Sequence, residues 1–355
     1  MNAFRFIGKL EFNALDSKIP YLRVGKTSNG SDYQSFNFSV VPSKNNRAFV
    51  ECFGMVNDKI KVKDANKQDL VVEWADRLNE DIIKKTAFYN RFSVKLDGVY
   101  HEFITEFDFI RFAVEHLEEL KQGTFAVTGK IGINVYQGKV SFRYKVQSIR
   151  EVTEEDKLEN GLTVYLDTFF RKEDINLDNW SKEKEIIVNG FTYQYIDKDV
   201  KFKYVPTTFY INLAHEDNEK KAAFFLKQFG IVLENGSNKI KIKDKEVASL
   251  PIRCDFINGS EEIAFDESCL TDNQKEMVEL GLKTLDDFKP NGGVYGQRIT
   301  KFFCKDVDTR DKYADGYLVE QITTGEFETE IFAPAATEIK ANDNKDNEDI
   351  DALFG

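Results

Sequence analysis

The sequence predicts a mainly β fold with a few helices, and three observations carry that prediction. Apolar and polar residues alternate along several short runs, as in FRFIGKLEF (residues 4–12) and YQSFNFSVV (33–41). Aromatic residues reach 13% of the chain, with 31 Phe and 14 Tyr beside 2 Trp, and such rings suit pleated, half-buried surfaces. Turn chemistry such as Asn29–Gly30 separates the runs. At 355 residues the chain is long enough for two or three domains of ~100–200 residues each.

Taken in order, the elements form a recognisable plan. Strands are expected at 4–12, 33–41 and RAFVECFGM (47–55), followed by a polar, lysine-rich stretch around 57–69 and a segment of mixed helical and irregular signals. Residues 107–121 repeat apolar side chains at helical spacing, with Asp108 placed to cap the start and Gly123 just past the end. Two more strands, 124–136 and 139–152, are joined by a tight Gln137–Gly138 turn. Three strands, a helix and two strands is the element order of an oligonucleotide-binding (OB-fold) β-barrel, assigned to residues 1–152. A second β-rich, OB-like domain is expected over 153–330, from strands at 162–170, 185–196, 203–213 and 251–258 and helices at 219–229 and 271–282. The run 292–307 closes it as a strand or hairpin. Residues 331–355 read as a disordered acidic tail, polar and poor in apolar residues until its tip.

Several function classes are disfavoured by composition. Cys52, Cys254, Cys269 and Cys304 are scattered singly, which suits neither a zinc ribbon nor a disulfide framework, and there are only three histidines. No Walker A loop, HExxH or GxSxG appears. A non-enzyme without cofactor, metal or small-molecule substrate is therefore expected. The acidic group Asp255, Glu261, Glu262 and Asp266 is the one place where a metal-dependent nuclease could be sought. No apolar run approaches the ~18 residues of a membrane span, and the start MNAFRFIGKLEF lacks signal-peptide shape. No membrane association and a cytoplasmic location are expected.

Charge is unevenly distributed. The net charge is −12, yet residues 1–150 hold 23 Lys+Arg against 18 Asp+Glu, whereas 151–319 hold 24 against 33 and 320–355 hold 2 against 10. The basic part coincides with the first barrel, where a polyanion would bind. Single strands are held by cations along the phosphates and by aromatic faces under the bases. Alternation sorts the side chains. Phe36, Phe38 and Val40 of the second strand and Ala48, Val50 and Cys52 of the third face inward, which turns Tyr33, Arg47, Phe49 and Phe53 outward. In the last strand Lys139, Arg143 and Lys145 face outward, with Tyr136 by the turn and Arg23 and Lys26 after the first strand. These ten residues are the expected single-stranded DNA surface.

The tail ends on Asp349, Ile350, Asp351, Leu353 and Phe354, apolar residues on an acidic linker that suit a basic-rimmed pocket on another protein. The same acidic segment could also fold onto the basic groove and compete with DNA.

The opening MNAFRFIGKL, Phe53–Gly54, GGVYGQRI at 292–299 and the ending DALFG together resemble phage-encoded single-stranded DNA-binding proteins of tailed phages of Gram-positive bacteria. The tail also resembles that of bacterial single-stranded DNA-binding proteins, which recruit replication and repair enzymes with it. The resemblance implies sequence-independent, non-catalytic coating of single-stranded DNA in replication or recombination, in the cytoplasm of a bacterial host, with partner proteins bound by the tail. Two departures stand out: Gly355 follows Phe354, where the bacterial tails finish on Pro-Phe, and the bacterial proteins are far shorter, with one barrel per subunit. The competing reading is a phage structural, assembly or adaptor protein without DNA binding.

Overall fold

Alternation in the first residues becomes long, one-side-buried strands. The computed structural model describes residues 2–322 except 137–138, 197–200, 235–236, 261, 264, 290–293, 296–297 and 309–310. Strand β1 (Ala3–Glu11) is followed by the edge strand β2 (Leu22–Lys26), then β3 (Asp32–Ser43) and β4 (Asn46–Met55). Between β2 and β3 the chain turns at Thr27–Gly30, where Gly30 takes a positive φ of 84°. Inward positions hold the core: Phe4, Phe6, Phe36, Phe38, Val40, Ala48 and Val50 are fully or almost fully buried.

The lysine-rich stretch after β4 is not a polar connection. It folds as a hairpin, β5 (Lys59–Lys63) and β6 (Asp69–Glu73), because Ile60 and Val62 alternate with the lysines. With Val72, Ile83 and Ile104 they form a small separate core. Helix α1 (Glu80–Lys85) and a second hairpin, β7 (Phe92–Leu96) and β8 (Val99–Phe103), follow. Asp97 and Gly98 both take positive φ in its two-residue turn, the conformation an Asp-Gly pair favours.

The expected helix over 107–121 is two helices, α2 (Glu106–Glu115) and α3 (Leu117–Gln122), broken at His116. Its cap is Thr105 and not Asp108: the Thr105 hydroxyl oxygen accepts the Asp108 N–H at 3.1 Å. Asp108 lies one turn inside, where its buried carboxylate takes Arg77 Nε at 2.9 Å and the Thr105 hydroxyl at 2.6 Å. Strands β9 (Phe125–Tyr136) and β10 (Lys139–Glu151) complete this part; the Gln137–Gly138 turn lies outside the described residues.

Five of these strands close a ring. β1 pairs antiparallel with β3 and β9, β3 with β4, and β9 with β10, and β4 meets β10 in parallel at Val50–Tyr144. The same connectivity recurs in residues 161–307. Strand β11 (Gly161–Phe170) is followed by the short β12 (Ile175–Asn176), α4 (Trp180–Glu183), β13 (Glu185–Tyr195), β14 (Phe202–Asn212) and helix α5 (Glu219–Gln228). A small hairpin, β15 (Ile231–Glu234) and β16 (Ser237–Ile240), precedes β17 (Val247–Gly259). The short β18 (Glu262–Ile263), helix α6 (Asp272–Glu279), the short β19 (Val294–Tyr295), β20 (Ile299–Val307) and β21 (Leu318–Glu320) complete the chain. β11 pairs antiparallel with β13 and β17, β13 with β14, and β17 with β20, and β14 meets β20 in parallel at Tyr210–Phe303.

The two rings share one mixed sheet and one core. β1 and β11 run antiparallel with Arg5 opposite Thr163. Asn46 of β4 pairs with Gly259 of β17, and β13 packs on β9. Phe6 touches Tyr144 of its own ring at 4.9 Å between centroids and Phe256 of the other at 6.2 Å. Half of the 292–299 motif lies outside the described residues; the other half is the short β19, which pairs with β18, together with Arg298 and the start of β20. Residues 323–355, including Asp349, Ile350, Asp351, Leu353 and Phe354, lie outside them as well.

Candidate functional site

Strand β4 separates core from surface residue by residue. Ala48, Val50 and Cys52 are buried, while Phe49 and Phe53 are 43% and 51% exposed. An exposed phenylalanine keeps about 25 cal/mol of unfavourable hydration per Å² of apolar surface, so two on one strand make this face a candidate binding surface. Tyr33, one strand over, stacks on Phe53 with ring centroids 5.4 Å apart and planes 27° apart. Gly25 of β2 lies directly beneath the Tyr33 ring; a Cβ there would meet the ring at 2.9 Å.

The next residue, Gly54, explains the Phe-Gly pair. A Cβ at this position would overlap the backbone of Phe107, so only glycine lets the first turn of α2 sit against β4. That close approach brings Glu106 beside Phe53 and forms one wall of a cleft of about 610 Å³. Phe53, Met55 and Tyr89 line it together with Lys59 and Lys61 from the β5–β6 hairpin, Lys130 from β9 and Lys145 from β10. Gln147 fastens the opposite wall, donating to the Tyr89 and Arg91 carbonyls at 2.7 and 3.1 Å. Phe88, beside Tyr89, is 78% exposed.

Four lysines therefore face two carboxylates, Glu51 and Glu106, around this cleft. Burial raises the Glu106 carboxyl above its ordinary value, against the opposing pull of its own backbone N–H and of Lys130 and Lys145. The Cys52 thiol at the cleft floor is pushed up by the same desolvation, and then by Glu106 and Glu51. A basic cleft lined by aromatic rings can hold a polyanion with planar groups, and burial keeps the Cys52 thiol protonated.

The structure gathers some of the expected residues and disperses others. Phe53 and Lys145 line the cleft, Tyr33 stacks on Phe53 outside its lining, and Phe49 extends the same face. Arg143 and Arg47 lie on this face but are tied to Glu51 and Glu11, each at 3.5 Å. Lys26 sits at the end of the edge strand, bonded to Asp32 at 2.6 Å, and Arg23 donates to the Lys18 carbonyl at 2.8 Å. Tyr136 and Lys139 pair across the β9–β10 hairpin, and their side chains lie outside the described residues. Lys59, Lys61, Tyr89 and Lys130 were not among the expected residues. Their signal was present in the alternation of Lys59 and Lys61 with Ile60 and Val62, and of Lys130 with buried Ile131. Of the acidic group, Asp255 faces Lys305 at 3.5 Å, Glu261 lies outside the described residues, and no metal-binding cluster occurs among the described ones.

No protein-family model matches the chain, and no curated protein matches it. Among solved structures, the chain is similar to the single-stranded DNA binding protein from Thermus aquaticus. A deletion mutant of that protein aligns at 12% identity over 73% of this chain and 87% of that one, with a TM-score of 0.30. The wild-type structure aligns at 10% identity over 73% and 85%, with a TM-score of 0.26. No helix among the described residues is long and apolar enough to cross a membrane.

Proposed function

We propose that this chain binds single-stranded DNA without sequence preference and without catalysis, in the cleft beside Phe53. The observation that carries the reading is the meeting of Phe53, on which Tyr33 stacks, with Lys61, Lys130, Lys145 and the Glu73-paired Lys59 around one opening. Rings accept any base and ammonium groups follow the phosphates, so neither needs a particular sequence. The five-strand ring, with its helix between the third and fourth strands, supports reading this part as an oligonucleotide-binding barrel. The recurrence of that order supports reading residues 1–152 and 153–330 as two such domains. Phage origin, a cytoplasmic setting in the bacterial host, a role in replication or recombination and recruitment of partner proteins through 331–355 belong to the same proposal, on the strength of the sequence resemblance.

The test is a fluorescence-anisotropy titration of a labelled oligothymidine with matched duplex as competitor, at about 50 and 300 mM salt. Single-strand preference that weakens with salt is expected; no binding at the lower salt, with or without the tail, discards the reading. Deleting residues 338–355 should leave DNA affinity equal or higher, and a truncated chain that binds more weakly refutes the role given to the tail.

A further inference from the structure

The second ring carries its exposed rings elsewhere, at the end of the β13–β14 hairpin. Tyr193, Tyr195 and Phe202 are 45%, 47% and 52% exposed. Tyr193 and Phe202 stack with centroids 5.4 Å apart and planes only 16° apart. Tyr204 continues the row at 4.8 Å from Tyr193, and Tyr195 meets Phe202 edge-on at 5.4 Å. The ring core does not use these side chains: Thr192, Val205 and Thr207 face inward there. A contiguous exposed aromatic row of this kind marks a binding surface.

Its position names the occupant. The Tyr193 carbonyl accepts the Asn2 side chain at 3.4 Å, and the Asn2 carbonyl accepts the Ile131 N–H at 3.1 Å. Ile131 follows Lys130, which lines the first cleft. The hairpin is thus joined through buried Asn2 to the β9 position next to Lys130. Its near-parallel pair repeats the Tyr33–Phe53 geometry, and Lys201 and Lys203 flank Phe202 in the sequence.

We propose that Tyr193, Tyr195 and Phe202 form a second base-stacking site, taking up single-stranded DNA that leaves the first cleft past Lys130. This rests on the reading of the first cleft as a single-strand site. A protein surface would also cover such rings, but continuity with a lysine-lined cleft favours a polyanion.

The experiment uses the full chain and oligothymidines of about 10 nucleotides, within the ~4–16 that one barrel covers, and of about 40. Tyr193→Ala/Phe202→Ala should leave affinity for the short strand unchanged and weaken the long one roughly ten-fold or more. Tyr193→Phe, which keeps the ring, should behave as the native chain. Equal long-strand affinity in the double variant overturns the second site while the first stands. The same outcome with a loss of self-association in sedimentation assigns the row to a second copy of the chain. A native chain that binds neither strand removes both readings.

Discussion

The two rings have the same strand order and different outer faces. In the first, the surface of the third and fifth strands presents Phe49, Phe53 and Lys145 beside an open cleft. In the second, the equivalent strands meet at Tyr210 and Phe303, but the Lys301 ammonium sits 4.2 Å over the Tyr210 ring and 5.8 Å from Phe303, covering them. The exposed rings have moved to the hairpin end, at Tyr193, Tyr195 and Phe202. The inward residues of each strand are bound by a close-packed core and so keep the connectivity, while outward positions are free to diverge. A repeated barrel therefore does not imply a repeated site.

The largest effect is expected where the rings are inseparable. Phe6→Ala removes a fully buried ring that contacts both halves and should lower stability by about 3–5 kcal/mol. Calorimetry should show one transition moving as a unit; two separate transitions would break the picture of a shared core. Phe53→Ala should weaken single-strand binding by about 1–3 kcal/mol with little change in Tm, and by more than removal of any one lysine. A neutral outcome at both Phe53 and Phe49 would mean that the first face is not the stacking face. Replacing Lys59 or Lys61 by Ala should weaken binding evenly across sequences and lower the slope of log affinity against log salt by about 1 each.

Glu106 gives the first cleft a pH dependence of its own. Its ionised form is disfavoured by burial, so as pH falls through its raised value the cleft loses a negative charge and binding should tighten. The sign for stability is the same, since the ionised carboxylate is the costly form. Glu106→Gln should bind about two- to five-fold more tightly at neutral pH, the size of one screened charge contact, and flatten the profile. An unchanged profile would place the phosphates away from the α2 end. The smallest effect is expected at Tyr210→Ala, within about 0.5 kcal/mol, as for a surface change. A loss as large as that at Phe53 would make the two faces equivalent after all.

Much of the fold was legible because period-two alternation dictates which side of a strand is buried. Phe36, Phe38, Ala48, Val50 and Cys52 face inward as the pattern requires, and that leaves Phe49 and Phe53 outside. The β5–β6 hairpin was misread because a count of lysines hid the Ile60–Val62 alternation. The helix over 107–121 was read as one element because apolar spacing continues through His116, where the backbone departs from helical angles. Its cap was misplaced because Asp108 is a capping type by residue, and only the fold shows its carboxylate buried against Arg77.

The sequence by itself determined the long strands β1, β3, β4, β9 and β10, their inward faces and the concentration of positive charge in the first 150 residues, since these depend on near neighbours along the chain. Tertiary structure decided the cleft. Lys130 and Lys145 are cross-strand partners of the β9–β10 hairpin, but Lys59 and Lys61 join them from the distant β5–β6 hairpin, and Gly54 admits α2 with Glu106 beside them. It also decided which cations are engaged: Arg47, Arg143 and Lys59 hold Glu11, Glu51 and Glu73, contacts set by strand pairing and invisible to local pattern.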